Sequence, residues 1–344
     1  MTQYVLPGPV VDAHAHFFPP GLGDPSRGTD PRWPVLRPDP GDVTSGGIHQ
    51  GGSLFRRVDS RLWDVGDRLA SMDAHGIGRQ LISPVPVMLT TWADAAPASA
   101  FAREVNDGIA MAADASGGRL AGLASVPLQD VGAAIAELER AVTRLGLAGV
   151  EIGTRVGDRE LDDPGLAPFF AAAADLGASI FVHPMDGGAG TLRRSGQPYD
   201  FGLGMLTDTA LAATALLTGG VLDRHPELRF GFAHGCGILA WAAPRVGLAL
   251  SVWGEEGRSA AFDDLLRHLW VDTLVLDPAH LPLLVRRFGR GHVMAGTDAP
   301  FIPGQLSGLG GLLAGGIAHG LSPADVDAIA CSNGSAFFSR AGHR

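Results

Sequence analysis

Two histidines separated by a single residue close the first apolar run of the sequence: His14 and His16 in VVDAHAH. In a β-strand the side chains at i and i+2 point to the same side, so both imidazoles would face one surface. A single histidine at a strand end is more often structural, but a pair at this spacing is typical of metal ligands. The run therefore predicts a metal site at the end of the first strand.

Three further polar residues each follow another short apolar run: His183 in FVHP, His234 in FAHG and Asp298 in GTDAP. Together with the first pair, His183 and Asp298 would supply three nitrogen ligands and one oxygen ligand. Such a set suits a borderline divalent ion; Zn²⁺ is the first expectation, and Fe²⁺, Mn²⁺ and Co²⁺ are compatible with it. The alternative is a group of unrelated buried polar residues, each bonded to the backbone.

The remaining polar group, His234, has a different expected role. A neutral imidazole beside a metal ion can take a proton from water that the ion polarises, so we expect His234 to act as a general acid and base. Metal ligation and a structural role are the alternatives. The roles of three nearby residues stay open. Glu151 could line the site, support a ligand or lie in the barrel interior, and Asp12 could orient a ligand, accept from a backbone donor or coordinate the metal directly. Cys236 is more consistent with packing than with a nucleophile.

These polar residues end strands in an alternation of short β-branched runs with longer Ala- and Leu-rich runs. Strands are predicted at 10–16, 79–85, 119–126, 148–153, 178–183, 228–234, 268–273 and 292–298. Helices are predicted at 61–76, 97–116, 130–145, 163–176, 205–224, 236–252 and 277–289. Eight such units without a break in composition favour a single closed (β/α)8 TIM barrel over 1–344. A doubly wound open sheet is the alternative.

The segment 17–54 interrupts the alternation directly after the first strand. Pro, Gly and Asp dominate it, and no hydrophobic periodicity is visible. In a barrel it would leave from the C-terminal face, where active sites are built. We therefore interpret it as an inserted loop that forms a lid or shapes the substrate site, with a plain linker as the alternative.

Composition excludes several classes of function. The chain has 344 residues and a formal net charge of −10, and all 26 of its Lys-or-Arg positions are Arg. The absence of lysine excludes a Schiff base, a P-loop lysine and a carboxylated lysine that bridges metals. A negative chain without basic clusters predicts no nucleic-acid partner. Two cysteines exclude a disulfide framework, and no apolar run reaches the roughly 18 residues of a membrane helix, so a cytoplasmic protein is expected.

Four motifs stand in a characteristic order along the chain: VDAHAHFFPP, FVHPMD, FAHGCG and GTDAPF. In this order and spacing they resemble the amidohydrolase superfamily. They are most similar to its branch of non-oxidative decarboxylases that contains 2-amino-3-carboxymuconate 6-semialdehyde decarboxylase. The stretches SLFRRV, PVPVMLTTWA and GVEIGT are also similar to that branch, and the resemblance covers about Val11 to Phe338.

The resemblance implies a (β/α)8 barrel with one divalent metal ion, assembled as a homodimer. It implies metal ligation by His14, His16, His183 and Asp298, catalytic roles for His234 and Asp298, and substrate contacts from Arg56, Trp92 and Phe201. A guanidinium matches the planar geometry of a carboxylate, which suits Arg56 to an acid substrate. From the residues alone, a solvated loop cation would be the simpler interpretation of Arg56.

The function expected on these grounds is a metal-dependent non-oxidative decarboxylase that acts on a small unsaturated or aromatic carboxylic acid. A metal-dependent hydrolase of an amide, lactone or C–C bond is the alternative, because its metal site and base would look the same in sequence. A barrel that binds metal or ligand without turnover is a third interpretation, which the complete ligand set disfavours.

Overall fold

The computed structural model describes residues 8–22, 30–254 and 258–339, with only the backbone of 258–261. The strands in this part of the chain are β1 (Val10–Phe17), β2 (Val35–Asp39), β3 (Asp42–Gln50), β4 (Ser53–Asp59), β5 (Ile77–Pro84), β6 (Leu120–Ala124), β7 (Gly149–Gly153), β8 (Arg155–Val156), β9 (Arg159–Glu160), β10 (Ser179–His183), β11 (Arg229–Phe232), β12 (Leu269–Asp272) and β13 (Val293–Met294).

Eight of these strands form one parallel sheet in the order β1, β5, β6, β7, β10, β11, β12, β13. The sheet closes because the segment after β13 returns to β1. Ala299 forms a parallel bridge with Ala15, and the Ala13 N–H donates to the Ala295 carbonyl at 2.8 Å. Each predicted barrel strand is found, and the closed (β/α)8 barrel is confirmed over the open sheet.

The helices of the described chain form the outer layer and close the bottom of the barrel. They are α1 (Val65–Ala74), α2 (Ala95–Ala115), α3 (Val131–Thr143), α4 (Ala167–Asp175), α5 (Met205–Thr218), α6 (Val221–Arg224), α7 (Leu239–Trp253), α8 (Arg258–Leu266), α9 (Leu281–Phe288), α10 (Gln305–Ala318), α11 (Pro323–Asp327) and α12 (Asn333–Phe338). The run predicted as one helix over 205–224 is divided between α5 and α6, because Gly220 takes a left-handed φ of 71°.

A packed apolar floor lies below the polar end of the barrel. The Phe337 ring of α12 enters the barrel and lies 6.3 Å from the ring of Phe181 and 5.7 Å from that of Trp270. Gly231 makes room for it, because a Cβ there would lie 2.7 Å from the Phe337 ring. Phe181 in turn lies 5.0 Å from the His14 ring, so the first histidine rests on a fixed aromatic surface.

The insertion after β1 is more ordered than the loop predicted for 17–54. β2, β3 and β4 form an antiparallel sheet of their own. Few of its side chains are buried, and its order comes from backbone hydrogen bonds between the strands, so no hydrophobic alternation marks it in the sequence. Ile48 of β3 is fully buried and attaches this inserted sheet to the main core.

Two helical stretches, 200–218 and 234–253, are long and apolar enough by length and composition to cross a membrane. They contain α5 and α7 of the barrel's helical layer, and 44% and 28% of their respective apolar 18-residue windows are buried. The core helices of globular proteins have a similar composition, so this finding is weak evidence for a membrane span.

Candidate metal centre

β1 brings two imidazoles to one point. His14 and His16 are both buried, and their Nε2 atoms lie 3.3 Å apart. The other ring nitrogens are occupied: His16 Nδ1 donates to the Pro84 carbonyl at 2.9 Å, and His14 Nδ1 donates to Asp272 Oδ2 at 2.6 Å. Nε2 is therefore the ring nitrogen that each histidine directs toward its neighbour, and it is the atom through which each could bind a metal ion.

His183, at the end of β10, and Asp298, after β13, reach the same point. His183 Nδ1 donates to the Pro184 carbonyl at 2.8 Å, and its Nε2 is buried without a hydrogen-bond partner. Asp298 Oδ1 lies 3.0 Å from His16 Nε2. The ligand atoms of His14, His16, His183 and Asp298 all lie within 4.8 Å of one another. Buried lone pairs that converge in this way are unfavourable without a cation, so these residues fit a divalent ion.

The charge states of this cluster also suit a metal ion. Burial and the neighbouring imidazoles lower the pKa of His183 well below its usual range, which keeps the ring neutral. Burial alone would raise the pKa of Asp298, but the neighbouring imidazoles of His16, His234 and His14 hold it well below the ordinary carboxyl value. The ion would thus meet a neutral imidazole and an ionised carboxylate.

Asp12 lies below the ligand cluster and holds the barrel closed. Its Oδ1 accepts from the N–H groups of His14 at 3.2 Å and Thr297 at 3.1 Å. Its Oδ2 accepts from Gln80 Nε2 at 2.7 Å and from the Thr297 hydroxyl at 2.6 Å. These four bonds use the carboxylate fully, so Asp12 fixes β1 to the segment that carries Asp298 and is outside the ligand set.

His234 lies beside the ligand cluster, with 8% of its surface exposed. Its Nε2 is 3.8 Å from Asp298 Oδ2, and its Nδ1 is buried without a hydrogen-bond partner. The residue has a left-handed φ of 58° in a tight turn after β11. Gly237 ends this turn, and a Cβ there would collide with the Leu206 carbonyl. The strained turn points an available imidazole at the edge of the metal centre.

Asp272, at the end of β12, is a site residue that the sequence interpretation missed. It is fully buried and accepts from His14 Nδ1 at 2.6 Å and from the backbone N–H groups of His234 at 3.0 Å and Gly235 at 2.8 Å. Burial alone would raise the pKa of its carboxyl, but the hydrogen bond from His14 and the neighbouring groups lower it below the ordinary value. Its position at the end of a predicted strand was the available signal.

Glu151 and Cys236, whose roles the sequence left open, both lie outside the ligand cluster. Glu151 is fully buried with its Oε2 3.9 Å from His16 Nδ1, on the side of the ring that faces away from the ligand cluster. Burial raises the pKa of Glu151 to about 7. Burial also raises the pKa of the Cys236 thiol well above its ordinary value, which leaves it protonated and suits packing rather than nucleophilic attack.

Two cavities adjoin each other, and one of them reaches the ligand cluster. The polar cavity has a volume of about 280 Å³ and is lined by His16, His183, Asp298, Arg56, Phe201 and Gln50, among others. The apolar cavity has a volume of about 400 Å³ and contains His234 among mostly aliphatic and aromatic neighbours. Phe201, Met205 and Ile302 line both cavities. The structure thus places Arg56 and Phe201 in the same cavity as the ligand cluster.

Trp92 lies elsewhere. It is absent from the lining of both cavities, and its ring packs 5.0 Å from Trp33, with the Arg32 guanidinium 4.1 Å above it. Trp92 follows the loop after β5, whose residues Val85 and Val87 do line the polar cavity. The structure therefore does not bring Trp92 into either cavity.

Comparisons with known proteins agree with this geometry. The family described as Amidohydrolase matches residues 11–340. The chain is 35% identical over 271 residues to 2-amino-3-carboxymuconate-6-semialdehyde decarboxylase of Dictyostelium discoideum, which covers 74% of this chain and 73% of the relative. The crystal structure of Metarhizium anisopliae IDCase in apo form has a TM-score of 0.79 at 24% identity, with 96% of this chain and 97% of the other covered.

A second solved structure is a dihydroxybenzoic acid decarboxylase from Polaromonas sp. JS666 with bound manganese and the inhibitor 2-nitroresorcinol. It has a TM-score of 0.73 at 22% identity and covers 96% of this chain and 97% of that chain. At these identities, both structures establish the shared fold.

Proposed function

Because the chain belongs to the amidohydrolase family, and within it to the branch of 2-amino-3-carboxymuconate-6-semialdehyde decarboxylase, we propose that it is a metal-dependent non-oxidative decarboxylase of a small unsaturated or aromatic carboxylic acid. One observation carries the proposal: four ligand atoms lie within 4.8 Å of one another, beside a cavity that Arg56 lines. The similar Polaromonas decarboxylase acts on an aromatic acid, in agreement with this substrate class.

We propose that His14, His16, His183 and Asp298 hold one divalent ion. Their nitrogen-rich set favours Zn²⁺, and Mn²⁺, Fe²⁺ and Co²⁺ also suit it; manganese is the ion in the similar Polaromonas structure. Such an ion supplies Lewis-acid polarisation of a substrate oxygen. The protein contributes a buried, preorganised set of ligands on rigid strand ends.

Arg56 and His234 divide the remaining work. In our proposal Arg56 holds the substrate acid and Phe201 stacks beside its unsaturated part, which fixes the reacting carbon near His234. His234, protonated, donates its proton to the carbon that bears the carboxylate. The C–C bond to the carboxylate then breaks, CO₂ departs, and its electron pair restores the conjugated system. Asp298, whose Oδ2 is 3.8 Å from His234 Nε2, stabilises the protonated ring before transfer.

The role proposed for Trp92 is an indirect one. Its packing against Trp33 supports the loop whose residues Val85 and Val87 line the polar cavity. In this proposal Trp92 shapes the wall at the substrate without lining the cavity itself.

A homodimer is the assembly we propose, in the cytoplasm. Trp241, Leu248 and Val252 lie seven and four residues apart on α7, so they share one face, and all three are exposed. Trp241 is 82% exposed and lines the apolar cavity. An exposed stripe of this kind is typical of a surface that a second protein copy covers.

The experiment that tests the function compares metal-loaded and chelated protein on a panel of aryl and dienyl carboxylic acids, with the products measured by mass spectrometry. We expect products that have lost the mass of CO₂, formed only by the metal-loaded protein. Products that have gained the mass of water would favour the hydrolase instead. An absence of turnover across a broad panel would contradict the proposed function.

A further inference from the structure

One buried carboxylate connects the metal centre to the acid/base histidine. Asp272 Oδ2 accepts from His14 Nδ1 at 2.6 Å and from the His234 N–H at 3.0 Å. Asp272 Oδ1 accepts from the Gly235 N–H at 2.8 Å and the Leu274 N–H at 3.0 Å. Each carboxylate oxygen thus serves two donors, and the whole group is excluded from solvent.

The bond to His14 determines which nitrogen of that ring carries the proton. While Asp272 accepts from Nδ1, the proton stays on Nδ1 and the Nε2 lone pair is available 3.3 Å from His16 Nε2. The bonds to the backbone act on a different element. They fix a turn in which His234 and Gly235 both have left-handed φ values, 58° and 62°, a conformation that costs free energy for a non-glycine residue.

We propose that Asp272 is the positioning residue of this site: it holds His14 with Nε2 toward the ligand cluster and, through the same carboxylate, fixes the turn that places His234. Metal affinity and the location of the acid/base group are then set by one side chain that touches neither the ion nor the substrate. The part of this proposal that concerns His234 rests on the proposed function, whereas the part that concerns His14 does not.

The variant Asp272→Asn separates this role from simple space filling. Asparagine keeps the shape but replaces one oxygen by an NH₂ group. Whichever side that group takes, it faces two N–H donors where an acceptor is needed. If it lies toward His14, the ring must accept at Nδ1, which moves the ring proton to Nε2 and removes the lone pair from the ligand cluster.

Asp12 provides the matched control. It is also fully buried and also accepts four hydrogen bonds, two of them from backbone N–H groups, but none comes from a histidine ring. Asp12→Asn therefore disturbs a buried carboxylate of the same kind while leaving the tautomer of His14 unchanged. Both variants should lose stability, and only one should change the metal site.

The first measurement is a titration of the metal-free full chain with Co²⁺, followed by the visible absorption of the bound ion and by competition with a chelator. We expect Asp272→Asn to bind Co²⁺ about 10- to 100-fold more weakly than the wild type, with a shifted absorption band. Asp12→Asn should retain the position of the band, because Asp12 bonds only the backbone of His14, and it should lose less Co²⁺ affinity than Asp272→Asn. Equal affinity and identical bands in Asp272→Asn and Asp12→Asn would overturn the proposal.

Circular dichroism establishes that each variant folds before titration. Should Asp272→Asn fail to fold, Asp272→Glu retains both carboxylate oxygens one methylene further out. Its Co²⁺ affinity should then be lower than that of the wild type and its band displaced. An unchanged Asp272→Glu titration would contradict the positioning role.

A kinetic measurement tests whether Asp272 acts on catalysis through the turn that carries His234. With saturating Co²⁺, Asp272→Asn should lower kcat by about tenfold or more in the wild-type background and by much less in a His234→Asn background, because residues that act through one another are not additive. Equal effects in both backgrounds would refute the link to His234. Lack of turnover by the wild type would instead count against the proposed function and leave the Co²⁺ result standing.

Discussion

Arg56 and Arg57 are consecutive residues of β4 with opposite surroundings. Arg56 lines the polar cavity beside His16, whereas Arg57 donates to Asp39 Oδ1 at 2.9 Å on the exposed surface of the inserted sheet. The two neighbours on this exposed strand thus differ in role: Arg56 forms part of the cavity wall, whereas Arg57 forms a structural ion pair.

We expect Arg56→Met to raise KM for the acid substrate by about 10- to 100-fold, the effect of losing a hydrogen bond to a charged group. Arg57→Met is the matched control and should change KM by less than about threefold, because exposed ion pairs contribute little. Steady-state kinetics on the acid found by the product screen measures both. Equal effects of the two substitutions would show that Arg56 does not bind the acid.

Replacement of the proposed acid/base group, His234, should separate catalysis from metal binding. His234→Asn removes the proton donor while leaving the four ligand residues in place, so we expect kcat to fall by about 10²- to 10⁴-fold. Metal affinity, measured by titration of the metal-free protein, should change little. Loss of the metal together with activity would instead identify His234 as a ligand.

The exposed face of α7 predicts an oligomer that one charge can disrupt. Trp241→Glu should convert the dimer to a monomer in multi-angle light scattering, because a charge would be buried in the interface. Met111→Glu, at a 72% exposed apolar residue of α2, is the control and should leave the mass unchanged. A wild-type monomer, or a dimer that tolerates Trp241→Glu, would contradict the proposed assembly.

The surroundings of Asp208, which is not one of the proposed metal ligands, predict that the stability of the protein depends on pH. This buried residue of α5 accepts a hydrogen bond from the Thr154 hydroxyl, and burial raises its pKa above the ordinary value of 3.8. A raised folded-state pKa means that its stabilising contribution is complete below pH 3.8 and is lost as the pH rises through the folded-state pKa. The ionised group is therefore a cost near neutral pH.

Asp208→Asn removes that cost. Its Tm relative to the wild type should increase as the pH is raised from about 4 and then level off. The exposed Asp114→Asn should show no such trend. A Tm difference for Asp208→Asn that is constant with pH would show that Asp208 is not held against its charged form.

The sequence was sufficient to predict those elements in which buried residues recur with the period of a strand or a helix. The barrel strands carry apolar runs on both faces, and the polar residues that end them, such as His183 and Asp298, stand out for that reason. The inserted sheet has few buried side chains, so the pairing of its strands produces no pattern of apolar residues in the sequence. α10 was also not predicted, because its glycine-rich sequence has low helix propensity and tertiary packing overrides it.

Asp272 shows a different limit. An aspartate at the end of β12 resembles any other strand-end polar residue. Its importance arises from contacts with distant residues, such as the 2.6 Å contact with His14, which lies 258 positions away in the chain. Local spacing can identify a pair such as His14 and His16. It cannot identify a residue whose partners come from other strands.

The inserted sheet has a consequence for how the substrate range of such a barrel can change. Residues 35–59 contribute Gln50, Phe55 and Arg56 to the polar cavity, whereas the four metal-binding side chains all come from other segments. This part of the cavity wall, which includes the residue proposed to bind the acid, is thus encoded separately from the proposed metal ligands. Exchange of the inserted sheet alone would change the wall of the polar cavity, and with it the acid that fits there, while the four ligand residues stay the same.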